Sequence, residues 1–241
     1  MTNLKKTQPV INRSHSPSIK QKFIFSFLHF IILFFSAWLI YFDGLALIGA
    51  LLSIDVNLAD PSRANIMFMC VVLYWIRQTF TLFYLLSRRV EWSEVFGLVS
   101  IFMVFEIGFI LLGGGIFRKE SIALNFLDVF ALFFLLSGSF LNTFSELQRK
   151  WWKNNPENSG HCYTGGLFRY SMHINYFGDT ILFTGWVLFS QNVFALGLPV
   201  IMAISFMFFH IPNLDKYLLE RYGDEFKKYS LKTKRFIPFI Y

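Results

Sequence analysis

Val95-Phe96-Gly97-Leu98-Val99-Ser100-Ile101-Phe102-Met103-Val104-Phe105-Glu106-Ile107-Gly108-Phe109-Ile110-Leu111-Leu112-Gly113-Gly114-Gly115-Ile116-Phe117 holds a single charged residue, Glu106, and no alternation of polar and apolar positions. A helix needs roughly 20 apolar residues to cross the hydrocarbon core of a bilayer, and this run supplies them. A lone strand of that length would leave its backbone groups unpaired in lipid, so the run predicts a membrane-spanning helix. Further apolar runs repeat the pattern at Phe23–Phe42, Ala64–Leu86, Ile122–Phe144, Tyr176–Ser190 and Val193–Phe209. Leu45–Ile54 is also apolar but too short to span, and is expected to pack at the interface. Only Gln191-Asn192 separates the last two runs, which predicts a tight helical hairpin.

The composition agrees. Charged residues make up 15% of the 241 positions, Phe occurs 32 times and mean hydropathy is +0.49; soluble domains carry roughly 25% charged residues. The expected fold is all-α, a polytopic membrane helical bundle of about six transmembrane helices with a C-terminal amphipathic helix. Residues 1–22 are polar and basic, with no small-residue cleavage site after them, and read as a disordered cytoplasmic tail rather than a signal peptide. Residues 23–241 read as one membrane domain without internal repeats. The net charge of +7 sits beside the apolar runs. It therefore reads as topology signal and anchor for anionic membrane lipids, not as a nucleic-acid surface. Cys70 and Cys162 form neither a metal-ligand spacing nor a disulfide framework.

The basic residues also orient the chain. With the N-terminus in the cytoplasm, one side holds Lys5, Lys6, Arg13, Lys20 and Lys22, then Arg88 and Arg89, then Arg149, Lys150, Lys153 and Arg169, and the C-terminal cluster from Lys216 to Arg235. The other side holds only Arg63, Arg118 and Lys119. Both termini are expected in the cytoplasm. After Pro212, Leu214, Leu218, Tyr222, Phe226 and Tyr229 recur at helical spacing with charges between them, which predicts an amphipathic helix on the membrane or folded back over the bundle.

Arg77, Glu106 and Asp128 sit well inside predicted spans. A charge at mid-bilayer is costly, so each is expected to face the interior. There it would serve either in an Arg77–Glu106 or Arg77–Asp128 pair or in a substrate cavity. The most concentrated chemistry lies in Gly165–Asp179, where Arg169, Tyr170, His173, Asn175, Tyr176 and Asp179 crowd one short polar segment between apolar runs. Arg169 offers a planar donor fork for phosphate or carboxylate, or else snorkels at the interface. Asp179 lies one helical turn after Asn175, so Asn175, Tyr176 and Asp179 can address one ligand.

The segment Gly166-Leu167-Phe168-Arg169-Tyr170-Ser171-Met172-His173-Ile174-Asn175-Tyr176-Phe177-Gly178-Asp179 resembles the signature of the steroid 5-alpha-reductase and sterol-reductase C-terminal domain. Upstream, Ser145-Glu146-Leu147-Gln148-Arg149 resembles that family's acidic-X-Gln turn. Downstream, Glu220-Arg221-Tyr222-Gly223-Asp224-Glu225-Phe226-Lys227-Lys228-Tyr229 and the closing Arg235–Tyr241 resemble its Tyr-Gly-X-Glu-Phe-X-X-Tyr and Ile-Pro blocks. The resemblance covers about residues 120–241. It implies a helical membrane enzyme whose cytoplasmic mouth holds NADPH and reduces a carbon–carbon double bond in a lipid or steroid-like molecule. By matched position, Arg169, His173, Asn175, Tyr176 and Asp179 would line the cofactor pocket, and Tyr222, Glu225 and Tyr229 would belong to the segment that closes it. No catalytic residue is assigned; Tyr74, Tyr84 and Glu106 are candidate proton donors by burial and acidity. Met172 and Ile174 stand where the family form has Arg and Pro, which removes a cation and changes how the backbone enters the next helix.

Two other readings compete. The isoprenylcysteine and phospholipid methyltransferases resemble the reductases at this block but use S-adenosylmethionine. They typically carry adjacent glutamates on the C-terminal segment, where this chain reads Leu218-Leu219-Glu220-Arg221. A degenerate, non-enzymatic lipid-binding member is the third reading. A bacterial inner membrane and an endoplasmic reticulum membrane both suit the chain.

Overall fold

The computed structural model describes residues 16–241. Residues 1–15, most of the predicted tail, lie outside the described residues. The described residues fold into helices: α1 (Ile19–Tyr41), α2 (Gly44–Leu52), α3 (Pro61–Phe80), α4 (Trp92–Gly114), α5 (Phe126–Lys153), α6 (Ile174–Ser190), α7 (Gly197–Ser205), α8 (Ile211–Tyr222) and α9 (Asp224–Lys232). A π-helical turn, Thr81–Leu85, extends α3, and another, Phe206–His210, joins α7 to α8. Five stretches are long and apolar enough to cross a membrane: Ile19–Tyr41, Pro61–Leu85, Trp92–Gly114, Phe126–Lys153 and Val193–Tyr222. The predicted fifth span is present as α6, but its 17 residues extend only about 26 Å at 1.5 Å per residue. It lies in the chain between α5 and the long Val193–Tyr222 stretch and buries much of its surface, including Leu182, Trp186, Val187 and Phe189.

The surface identifies the solvent. Phe34, Phe133 and Ile201 are more than 60% exposed along their helices, while Lys22, His29, Arg63, Glu106 and Asp128 are buried. That distribution suits a bundle bathed in hydrocarbon, whose polar side chains must find partners inside.

Local chemistry sets the helix ends. Asp60 accepts from Ser62 N at 2.8 Å and Pro61 opens α3. Asn125 and Asp128 form a reciprocal capping box at the start of α5, so this helix begins later than the apolar run at Ile122 predicts. It then continues past Phe144 to Lys153. Gln191, at φ 48°, turns the chain in the left-handed region between α6 and the last span, and Asn192 caps the next turn by accepting from Phe194 N at 3.0 Å. The predicted single amphipathic helix is two helices. Gly223, at φ 53°, breaks it, and this bend folds Phe226 and Tyr229 onto Cys162 and Met172.

The expected pairing of Arg77 with Glu106 or Asp128 is corrected. His29 Nε2 meets Glu106 Oε1 at 2.7 Å, Arg63 Nε donates to Asp128 at 3.0 Å, and Arg77 Nη2 donates to Asp179 at 3.1 Å. Arg63 is therefore not a loop charge but a wholly buried residue in the first turn of α3. Its Nη1 and Nη2 donate to the carbonyls of Gly113 and Phe189, in the last turns of α4 and α6. One guanidinium thus caps two helix C-termini and joins the N-terminus of a third helix, where unsatisfied carbonyls and cations attract each other.

The connecting segments gather at two ends. Lys22 Nζ donates to Leu86 O and Met172 N to Lys234 O at one end. At the other, Phe117 N donates to Asp55 O and Arg118 Nη2 to Ser190 O.

Candidate functional site

The site begins where α5 and α6 touch backbone to backbone. A Cβ at Gly138 would lie 2.3 Å from Leu182 N, and one at Gly178 would lie 2.6 Å from Asn142 N. Small residues permit this approach, a recurrent device between helices in membranes. The close contact aligns Asn142 and Glu146 of α5 with Asn175 and Asp179 of α6. Arg77 Nη2 donates to Asn142 Oδ1 at 3.3 Å, Asn142 Nδ2 to Asn175 O at 3.1 Å, and Asn175 Nδ2 to Glu146 Oε1 at 2.9 Å. The result is a hydrogen-bonded chain running from inside the bundle toward its mouth.

At the mouth lies a cleft of about 470 Å³. Glu146, Arg149, Lys150 and Lys153 line one wall, at the spacing that places residues on one helical face. Asn175, His173, Met172 and Phe168 line a second wall, and Tyr217, Arg221 and Tyr222 of α8 a third. Arg149 pairs with Glu146, the one carboxylate of the lining. The other three cations donate to neutral oxygens: Lys150 to Tyr84 O, Lys153 to Tyr222 Oη at 3.1 Å, and Arg221 to Tyr217 Oη at 2.6 Å.

The loop beside the cleft is held from several directions. Gly166 adopts φ 55°, and a Cβ there would strike Gln148 Oε1 at 2.4 Å. Gln148 accepts instead from Leu167 N at 3.0 Å. Tyr229 Oη donates to Phe168 O at 2.6 Å, and Ser171 Oγ to Phe236 O at 2.7 Å. His173 Nε2 meets Asp215 Oδ1 at 2.7 Å, and Arg235 Nε donates to Asp215 Oδ2 at 2.7 Å. Tyr176 lies in a stack between His173 and Phe206, with ring centroids 5.8 and 4.7 Å away. Burial under α9, with the Glu225 carboxylate adding to it, pushes the Cys162 thiol up to about 11. Burial likewise raises the Tyr229 phenol well above its ordinary value.

Of the residues the sequence singles out, His173, Asn175 and Tyr222 line the cleft. Asp179 is engaged by Arg77 behind it, and Tyr176 supports His173 by stacking. Arg169 is exposed outside the cleft lining, and Glu225 is half-buried opposite His161 Nδ1 at 3.4 Å. Tyr229 is a buried brace for Phe168. The sequence reading did not place the cations of α5 and α8 in the site. The signal was present in the spacing of Glu146, Arg149, Lys150 and Lys153, but ending the span at Phe144 turns these residues into loop charges.

A second cavity, about 500 Å³, opens between α3 and α5. Tyr74, Arg77 and Phe80 line one side of it; Leu136, Ser139, Phe140 and Thr143 line the other. Arg77 thus faces this groove while its hydrogen-bonded chain ends at the cleft.

A family described as a protein of unknown function, DUF1295, matches residues 36–233. This chain belongs to the DUF1295 family. The match takes in α2 to α9, so the family pattern extends well into the N-terminal half, beyond the residues 120–241 that carry the sequence resemblance. A protein of Ustilaginoidea virens named "Probable O-methyltransferase ustE" is 36% identical to this DUF1295 chain over 77 residues. Those residues are 32% of this chain and 27% of that protein, so the chain spans about a quarter of the length of this curated relative.

Proposed function

We propose that this protein is an integral-membrane reductase that binds NADPH in the basic cleft, on the cytoplasmic face, and reduces a carbon–carbon double bond of an apolar lipid or steroid-like molecule. The observation that carries this reading is the charge of the cleft. Arg149, Lys150, Lys153 and Arg221 line it against Glu146 alone. NADPH brings phosphate groups that such a surface attracts. S-adenosylmethionine is itself net positive and lacks phosphate, so the same surface repels it. The cations of α5 and α8 also offset the Arg that the family form carries at the position of Met172.

The residues divide the work by position. Lys150, Lys153 and Arg221 would hold phosphates. Asn175, fixed by Glu146, would present its amide region to the cofactor, and His173, fixed by Asp215, would form the adjoining wall. When bound, the cofactor supplies hydride. Of the three candidate proton donors, Tyr74 lines the α3–α5 groove, while Glu106 is engaged with His29 and Tyr84 stacks on Phe80. Tyr74 is therefore the hydroxyl that would deliver the proton to a substrate carbon in the groove.

The name of the Ustilaginoidea virens relative favours a second reading, S-adenosylmethionine-dependent methyl transfer. Titrating the purified protein with NADPH and with S-adenosylmethionine separates the two. The reductase reading expects saturable NADPH binding that weakens roughly tenfold or more in Lys153→Glu, as loss of a charged hydrogen bond requires. Saturable S-adenosylmethionine binding without NADPH binding overturns it.

A further inference from the structure

We infer that the pocket between α1 and α3, at the end of the bundle remote from the cleft, binds a small neutral alcohol, an aliphatic or phenolic molecule of about six to eight carbons. The inference lies outside the reading of the cleft. It concerns a site about 30 Å away along α3 and its extension, measured from Asn65 to Leu85, that binds with or without a nucleotide.

The first span ends at Tyr41 and the second begins at Pro61, so the pocket opens where the helices leave the hydrocarbon. Tyr41, Leu58 and Asn65 stand around it, backed by the core residues Leu45, Met67 and Ile110. A Cβ at Gly114 would lie 2.7 Å from Leu45 Cδ1, so this glycine lets α2 close the back of the pocket against α4. The volume is about 160 Å³. An apolar cavity of ~150 Å³ holds a benzene-sized molecule. The space therefore suits a slim body and not a fused-ring nucleus, which separates its ligand from the steroid-like molecule proposed for the reaction.

Tyr41 and Asn65 supply the polar contact. Tyr41 Oη donates to Asn65 Oδ1 at 2.9 Å and ties α1 to α3. Asn65 Nδ2 is left to donate, and Tyr41 Oη is left to accept, with no further partner for either among the described residues. Tyr41 is 48% exposed and Asn65 is exposed, so a ligand reaches both. A hydroxyl accepts from the amide and donates to the phenol oxygen, and so serves the two together. A carbonyl only accepts, and an alkane meets neither.

Charge narrows the class further. No Asp, Glu, Lys, Arg or His lines the pocket. Of the charges beside it in the chain, Arg63 is engaged by Asp128 and by the Gly113 and Phe189 carbonyls, and the Asp60 carboxylate accepts from Ser62 N. A carboxylate or ammonium group would enter without a counter-charge, whereas a hydroxyl adds none.

The test uses octanol carrying a photoreactive diazirine, added to the full-length, nucleotide-free protein in phosphatidylcholine nanodiscs. Competitors are octanol, octane and octanoate, compared at equal concentration in the membrane. The expected result is labelling concentrated at Ile40 and Leu58, which octanol displaces about tenfold better than octane or octanoate, as one to two added hydrogen bonds require. Asn65→Leu removes the amide at an exposed position. It should lower octanol affinity about tenfold and leave octane unchanged. Ala64→Phe fills the pocket and should abolish labelling there; if that variant does not fold, Asn65→Leu decides. Labelling spread evenly over the lipid-facing surface overturns the inference. Equal displacement by octane, preference for octanoate, or parental octanol affinity in Asn65→Leu does the same. Because no nucleotide is present, failure here leaves the cleft reading intact, and failure of nucleotide binding leaves this one intact.

Discussion

Replacing Arg63 by Met tests how the end of the bundle remote from the cleft is held together. The substitution removes a wholly buried ion pair with Asp128 and two donors to the Gly113 and Phe189 carbonyls. Removing one partner of a buried pair costs about 3–5 kcal/mol, because the other charge stays behind without compensation. Asp128→Asn should cost a similar amount, since arginine does not shed its proton in proteins. In the double variant no buried charge remains. The residual cost is then the two carbonyls that lose their donor, about 1–3 kcal/mol for each group left unsatisfied. The double variant should therefore be well short of the sum of the singles. Unfolding by increasing SDS fraction in mixed micelles measures all three, with the buried Trp186, stacked on Phe109, contributing the fluorescence signal. A single variant within about 1 kcal/mol of the parent refutes the reasoning, and so does strict additivity of the two.

Two more outcomes follow from contacts near the cleft. Gly178→Val forces α6 away from Asn142 and should destabilise the protein by about 1–3 kcal/mol. The same change should weaken ligand binding at the cleft, so a variant that melts and binds like the parent contradicts the backbone contact as the source of alignment. Cys162, in a Cys70→Ser background, should react with maleimide at pH 8 about a hundred times more slowly than an ordinary exposed thiol. The sign is that of a raised value: the thiol stays protonated until the pH approaches about 11. Phe226→Ala should uncover it and restore the rate, while rapid labelling of the parent would show that α9 does not cover this loop.

The helical class and the spans were legible because hydrophobic runs of membrane length have one solution for their backbone. The ends were less so. Asn125 and Asp128 cap α5 inside what reads as a continuous apolar run, and Gly223 divides a periodic pattern that looks like one helix. Pairing was not legible at all. Arg77 meets Asp179 from 102 positions away, and nothing in the local pattern around either residue names the other. For the cleft, the polar segment from Arg169 to Asp179 supplies part of one wall. Of the candidate site residues only His173, Asn175 and the distant Tyr222 reach its lining, and Arg169 is exposed outside it. The cations that do line it lie on the extension of α5 beyond the hydrocarbon, where a hydropathy profile sees only a loop.

The braces on the loop from Gly165 to His173 also order events in time. Phe168 is held by Tyr229, Met172 by Lys234 and Ser171 by Phe236. A chain made from its N-terminus inserts every long helix before those braces exist. The membrane bundle therefore assembles first, with its cleft unfinished, and the geometry of the loop beside the cleft arrives as a late step once α9 and the residues after it have emerged. A nascent or clipped chain that ends before Tyr229 would sit in the membrane with this loop unbraced, so insertion and completion of the cleft are separate milestones for this protein.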